Sequence, residues 1–157
     1  MLNIQIETSE LETTLHGVSA ALGDLSPVWR DVQDIFVAMM AQQFATEGGA
    51  GGTRWEPLSP TYAARKQREV GSLPILQYSG RLQRSLTSKR DAEHIFNHGP
   101  SWAEYGTSVP YARAHHYGYP PRNLPARPVI PTWSQDEGER IVDALLAHIL
   151  RSARRGR

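Results

Sequence analysis

The chain has 157 residues, 13 glycines, 11 prolines and no cysteine. That is enough for one domain with its own core, and it excludes a disulfide framework and any cysteine-based zinc site. No apolar run approaches the ~20 residues that span a bilayer, and the first ten residues are acidic, without a signal-peptide pattern, so neither a membrane contact nor a leader is expected.

The net charge of +1 hides a split: residues 1–50 hold Arg30 against seven acids, whereas residues 51–157 hold sixteen lysines and arginines against nine. An acidic half and a basic half suit head-to-tail packing of copies. The plainer reading is uneven charge on a soluble protein.

Residues 2–7 alternate apolar and polar, as a short strand does. Thr8 or Ser9 then caps a helix, with Glu12 completing a capping box. Leu11, Leu15, Val18, Leu22 and Leu25 follow at spacings of four and three, one apolar stripe on a helix from about Glu10 to Gly23. Ser26 with Pro27 reads as a second cap. Trp29, Val32, Phe36, Met40 and Gln43-Phe44 then continue a second helix to about Thr46, its apolar face widened by Ile35 and Met39. The two helices are expected to pair antiparallel, or one to pack on a sheet. Residues 47–53, with four glycines, read as a flexible loop.

Pro60 to Glu69 reads as a short basic helix carrying Arg65, Lys66 and Arg68, and Gly80 to Leu86 as a further helical turn. His94 to His98 and Trp102 to Thr107 read as antiparallel strands. Tyr111 to Tyr117 is helix-compatible and ends at Gly118. Prolines fix φ and cannot donate, so residues 118–131 are expected to form a stiff, extended surface loop. Ser134 caps a last helix from about Gln135 to Arg154. Asp136, Glu137 and Glu139 complement one end of its dipole, and Arg151, Arg154 and Arg155 the other. Ile141, Leu145 and Ile149 make its expected buried stripe, flanked by Val142, Leu146 and Leu150. The fold expected is α+β, several helices around a small, mainly antiparallel sheet. It forms one domain over residues 1–157: 1–46 a strand plus helical pair, 47–53 the glycine loop, 54–133 an α+β region, and 134–157 the last helix and a basic tail.

Chemistry is sparse. His115-His116, with His94 and His98, invites a metal reading. The second pair is spaced i, i+4, which suits zinc on a helix but not on a strand, and no HExxH pattern is present. The alternative is that one imidazole of His115-His116 bonds backbone while the other is exposed. There is no G-x-S-x-G elbow, no phosphate loop and no cysteine nucleophile. No residue is therefore assigned a catalytic, cofactor-binding or metal-ligating role, and an enzyme is not expected. Arg65, Lys66, Arg68, Arg81, Arg84, Lys89, Arg90 and the tail could line a basic surface, although the pI of about 8.1 is modest. Weak, sequence-independent contact with DNA in a channel is the form this takes. Arg151, Arg154, Arg155 and Arg157 are the candidate polyanion contacts.

Three blocks carry a resemblance. The first is Trp55-Glu56-Pro57-Leu58-Ser59-Pro60-Thr61 with Lys66. The second is Ile75-Leu76, Ser79-Gly80-Arg81-Leu82 and Ser85-Leu86. The third is Tyr111-Ala112, His115-His116-Tyr117-Gly118, then Pro125-Ala126-Arg127-Pro128. In this order they resemble the signature of the phage virion morphogenesis family, the Mu-type and tail-completion-type structural proteins of tailed bacteriophages. The blocks and the final helix start span roughly residues 54 to 145. The family often has glutamine where this chain has His116, and the first 50 residues carry no matching motif.

The resemblance implies a virion protein assembled in the host cytoplasm. It would sit in the neck or tail-completion layer and join tail to head as a homo-oligomeric ring. Its partners would be neck, head-completion or tail proteins. A capsid-assembly role in the same family is one alternative, and a small basic-surfaced nucleic-acid-binding protein another. The expected contact surface comprises Trp55, Pro57, Leu58, Lys66, Leu76, Gly80, Leu82, Tyr111, Ala112, His115, His116, Gly118, Pro125, Arg127 and Pro128. Tyr117, Tyr119 and Arg122 add adhesive side chains. Arg127, held between prolines, is expected to aim its guanidinium at an acidic or carbonyl partner.

Overall fold

The computed structural model describes residues 9–155, with side chains from Leu11 to Arg154. The strand expected at 2–7 and a cap at Thr8 lie outside the described residues. Helix α1 (Ser9–Gly23) leads into α2 (Ser26–Ala45), the central helix. The corner between them is not capped by Ser26. Instead the Asp24 carboxylate accepts the Ser26 N–H at 2.9 Å, and the Leu25 N–H donates to the Pro100 carbonyl at 2.8 Å.

Nine residues of α2 are buried, among them Val28, Val32, Phe36, Met40 and Phe44, so its apolar side is wide enough to serve several neighbours. Helix α3 (Pro60–Val70) starts at the Ser59 cap, and α4 (Arg81–Thr87) follows a left-handed Gly80. Strands β1 (His94–Gly99) and β2 (Trp102–Thr107) pair antiparallel from His94 opposite Thr107 to Gly99 opposite Trp102. Helix α5 (Ala112–Tyr117) and α6 (Gln135–Arg155) complete the chain. The fold is α+β, as expected. Its core joins Phe36, Met39, Met40 and Phe44 to Trp55, Leu82, Leu86, Val109, Ala112 and Val129.

Of the two arrangements expected of α1 and α2, packing of one of them on the sheet is found, and antiparallel pairing with each other is not the main contact. Helix α1 packs chiefly on α6, while α2 packs on α4, α6 and the hairpin. His148 of α6 lies within 3.2 Å of the Ala21 carbonyl and 3.1 Å of the Asp24 carbonyl through Nε2. Both partners only accept, so that nitrogen carries the proton. The stripe read from α1 is not buried either: Leu11, Leu15 and Leu22 are exposed, and Ala21 is the side chain that goes inside. On α6, Ile141, Leu145 and Ile149 are half-buried and their flanking residues exposed.

Two loops are more ordered than their composition suggests. In the glycine segment a 3₁₀ turn (Gly49–Gly51) sits between left-handed Gly48 and Gly52. A Cβ on Gly48 would stand 2.6 Å from the Trp55 ring, so glycine is what lets the chain close there. The Gln43 side chain ties the turn down by accepting the Gly51 N–H at 2.9 Å. The proline-rich segment is not a surface loop throughout. A 3₁₀ turn (Pro120–Arg122) and a bridge between Tyr119 and Leu124 form its outer part. The chain then dives inward, burying Arg127, Val129 and Pro131. Prolines bring no N–H to satisfy, which makes such a segment cheap to bury. The Pro128 carbonyl accepts from Gln43 Nε2 at 2.8 Å and Trp55 Nε1 at 2.9 Å.

Candidate functional site

The three sequence blocks converge on one cleft of about 770 Å³. Its first wall is the segment entering α3, with Pro57, Leu58, Ser59, Tyr62 and Lys66. Its second is Leu76 to Leu82. Its third is Tyr111, His115 and the stretch Arg122 to Pro125, with Arg127 below. Of the fifteen motif residues, Pro57, Leu58, Lys66, Leu76, Gly80, Leu82, Tyr111, His115, Pro125 and Arg127 line this cleft. Trp55, Gly118 and Pro128 do not line it, and Ala112 and His116 line a smaller cleft of about 450 Å³ on the far side of α5.

The polar motif residues act inward, as clamps on backbone. Lys66 is 3% exposed and its Nζ donates to the Leu73 and Pro74 carbonyls at 2.7 and 2.5 Å. Burial pushes its pKa down, and the Glu47 carboxylate pulls the other way. Glu47 itself accepts the Ile75 N–H at 2.7 Å, so Lys66 and Glu47 together hold the second wall against the first. Arg127 is 4% exposed. Its Nε donates to the Glu56 carbonyl at 2.8 Å and its Nη2 to the Pro57 carbonyl at 3.1 Å. Its own N–H reaches the His115 carbonyl at 2.7 Å. One residue thus fastens the first wall to the third. The expectation of a carbonyl partner holds, but that partner is in the same subunit.

The histidine pair divides differently from the expectation. His116 Nδ1 accepts the Ile130 N–H at 3.5 Å, which leaves its proton on Nε2. His115 is not exposed: it is half-buried, and its Nδ1 meets no hydrogen-bond partner among the described residues. Burial lowers the pKa of both rings, and the Arg127 charge lowers that of His115 further. His94 Nδ1 donates to the Ser85 carbonyl at 2.9 Å and its Nε2 meets the Gln33 amide, so that histidine is engaged structurally. Among the described residues no three His, Asp or Glu side chains converge as metal ligands.

What faces out at the cleft mouth is aromatic and cationic. Tyr78 and Tyr111 are 44% and 39% exposed, and Arg122 of the third wall is exposed too. Arg81 grips Glu93 at 2.6 and 2.5 Å and stands over the Tyr111 ring. The lining as a whole carries Lys66, Arg81, Arg122 and Arg127 against Glu56 alone. Tyr117 and Tyr119 are exposed outside this cleft. Tyr62, Tyr78, Glu47 and Gln43 were not singled out from sequence. Gln43 had a legible signal, a polar residue within the apolar face of α2.

Two of the other basic residues lie beside acids. Lys89 pairs with Asp34 and Arg84 lies 4.0 Å from Asp91. Arg151 and Arg154 are exposed near the end of α6, and the side chains of Arg155 and Arg157 lie outside those described.

Residues 6–150 match the model of the phage virion morphogenesis family. The chain belongs to the phage virion morphogenesis family. Its role therefore lies in building the phage particle. In this virion morphogenesis protein no helix among the described residues is long and apolar enough to cross a membrane. It is also similar to an uncharacterized protein of Methanocaldococcus jannaschii, with 35% identity over 77 residues, 49% of this chain and 54% of that protein. The chain thus spans about half the length of that relative. No solved structure matches it.

Proposed function

We propose that the protein acts in the neck or tail-completion layer, joining tail to head as a ring of copies. The cleft would receive an extended, acidic segment of a neighbouring virion protein. The observation that supports this is the convergence of all three family blocks on one cleft with a rigid, clamped frame and a mouth of tyrosine and arginine. Rigid walls lose little entropy on docking, and aromatic and arginine side chains usually dominate interface energetics. The exposed Arg122 at the mouth favours an acidic occupant. The exposed Arg151 and Arg154 suit weak contact with DNA passing a channel.

Electron microscopy of lysates from a nonsense mutant tests the role. Filled heads beside unattached tails are expected. Few or malformed heads would transfer the function to capsid assembly, and normal infectious particles would defeat both readings.

A further inference from the structure

Six large apolar side chains of α1 and α6 stand in solvent: Leu11, Leu15 and Leu22 at 59%, 58% and 57% exposure, Val142, Leu146 and Leu150 at 51%, 51% and 57%. They are not scattered. At about 100° per residue, the three leucines of α1 fall within about 40° of one another, and the three residues of α6 within about 80°. The seam between the helices lies elsewhere. Gly17 meets Ser152 and Ala153, and the Ala21 carbonyl meets His148, which makes the pair antiparallel. On each helix the exposed residues sit roughly a third of a turn from that seam, in the same rotational sense. For antiparallel helices, equal rotation brings both stripes onto one face. Half-buried Val18 and Ile149 lie in the valley between them.

We propose that this face is the seat of a second copy of the chain, two α1–α6 pairs closing into a four-helix layer. The spacing of Leu11, Leu15, Val18, Leu22 and Leu25 is that of a helix seam facing another helix, and α6 of the same subunit covers only its edge. The six side chains form an apolar patch on the order of 500 Å², at the upper end for a monomer. With its rim and a second copy it reaches the roughly 1,200–2,000 Å² of a stable interface.

Charge favours a copy over a membrane. Helix α1 carries Glu10 and Glu12 without a lysine or arginine, and α6 has four acids against four arginines, so the pair is acidic, unlike a surface-lying helix. A two-fold axis parallel to the helices sets each α1 along the α6 of the other copy. It brings Glu12 and Arg154 of the second copy to one flank, opposite in sign. The inference rests on the assembly reading only in that copies of the chain meet.

Sedimentation equilibrium of the full chain over a wide concentration range tests it. The wild type is expected to dimerise, and Leu15→Glu and Leu146→Glu to weaken the dimer at least ~100-fold with unchanged circular dichroism, since both positions are exposed in the subunit. Because the chain has no cysteine, the double variant Leu22→Cys/Leu146→Cys, whose two positions lie level with each other across the interface, gives a clean second measurement: a covalent dimer on mild oxidation, with Arg90→Cys as an exposed control that stays monomeric. A wild type that is monomeric throughout, or variants that pair as well as it does, would overturn the inference and assign the face to another virion protein. The joining role is read separately from micrographs. A monomer still needed to attach tails loses the pairing alone, and a dimer dispensable for normal particles loses the role alone.

Discussion

Arg127 and Lys66 show how a long cation can serve a fold by donating to backbone carbonyls rather than to a carboxylate. Each is almost fully buried and each donates to two backbone carbonyls. The planar fork of arginine spans the Glu56 and Pro57 carbonyls; a lysine there keeps the charge but reaches one of them. Arg127→Lys is therefore expected to lose about 1–3 kcal/mol of stability, seen as a lower urea midpoint with unchanged slope. An unshifted midpoint would return Arg127 to a contact role. His115 supplies a pH dependence whose direction follows from its environment. Burial and the Arg127 charge hold its folded pKa below the ordinary 6.5. The unfolded state therefore takes up a proton first as pH falls, and stability drops below about pH 6.5. His116 acts in the same direction. His115→Leu is expected to flatten the fall in urea midpoint between neutral and mildly acidic pH.

Elements meet through their smallest residues. Gly17 allows α1 to lie against α6, since a Cβ there would stand 2.8 Å from the Ser152 carbonyl oxygen and 3.2 Å from Ala153. Both atoms are backbone, so Gly17→Ala must push the helices apart, at a cost of roughly 1–3 kcal/mol. Gly138, also in a helix, has nothing within 4 Å of its would-be Cβ, and Gly138→Ala is expected to raise stability by about 0.5–1 kcal/mol through helix propensity alone. Thermal unfolding of the two variants beside the wild type should show shifts of opposite sign. The same contact decides the fate of the basic tail. A stripe ending at Leu150 implies that residues 151–157 can be removed freely. Ser152 and Ala153 are instead half-buried against α1, so truncation after Leu150 is expected to lower the melting temperature. Arg151→Gln with Arg154→Gln, both exposed, should lower it much less.

For the whole molecule, the cleft separates residues that build from residues that contact. Tyr111→Ala and Arg122→Glu alter exposed side chains at its mouth, and both variants are expected to fold normally yet fail to complement a nonsense mutant in head–tail joining. Normal melting with normal phage titre would remove the cleft from the docking surface. Arg127→Ala differs: its defect should follow loss of folded protein, measurable as reduced soluble yield before any assembly assay.

Local patterns carried much of the architecture. Proline and the Ser59 cap begin α3, Gly118 ends α5, two short runs on either side of Gly99-Pro100-Ser101 make β1 and β2, and both long helices are visible from their apolar spacing. These signals are legible because they depend on backbone conformation within a few residues. The family blocks likewise marked ten residues of one cleft, though not that they share it. Tertiary structure decided which side of each helix is covered and which polar groups lie inside. The apolar stripe of α1 reads the same whether it meets its own core or another copy, and only the packing of α1 on α6 leaves Leu11, Leu15 and Leu22 outside. Arg127, Lys66 and Val129 lie in a composition that reads as surface. Lys66 turns in to carbonyls seven and eight residues on, whereas Arg127 and Val129 are buried because distant carbonyls and an emptied set of proline donors meet there, a match between segments about 70 residues apart that no local pattern encodes.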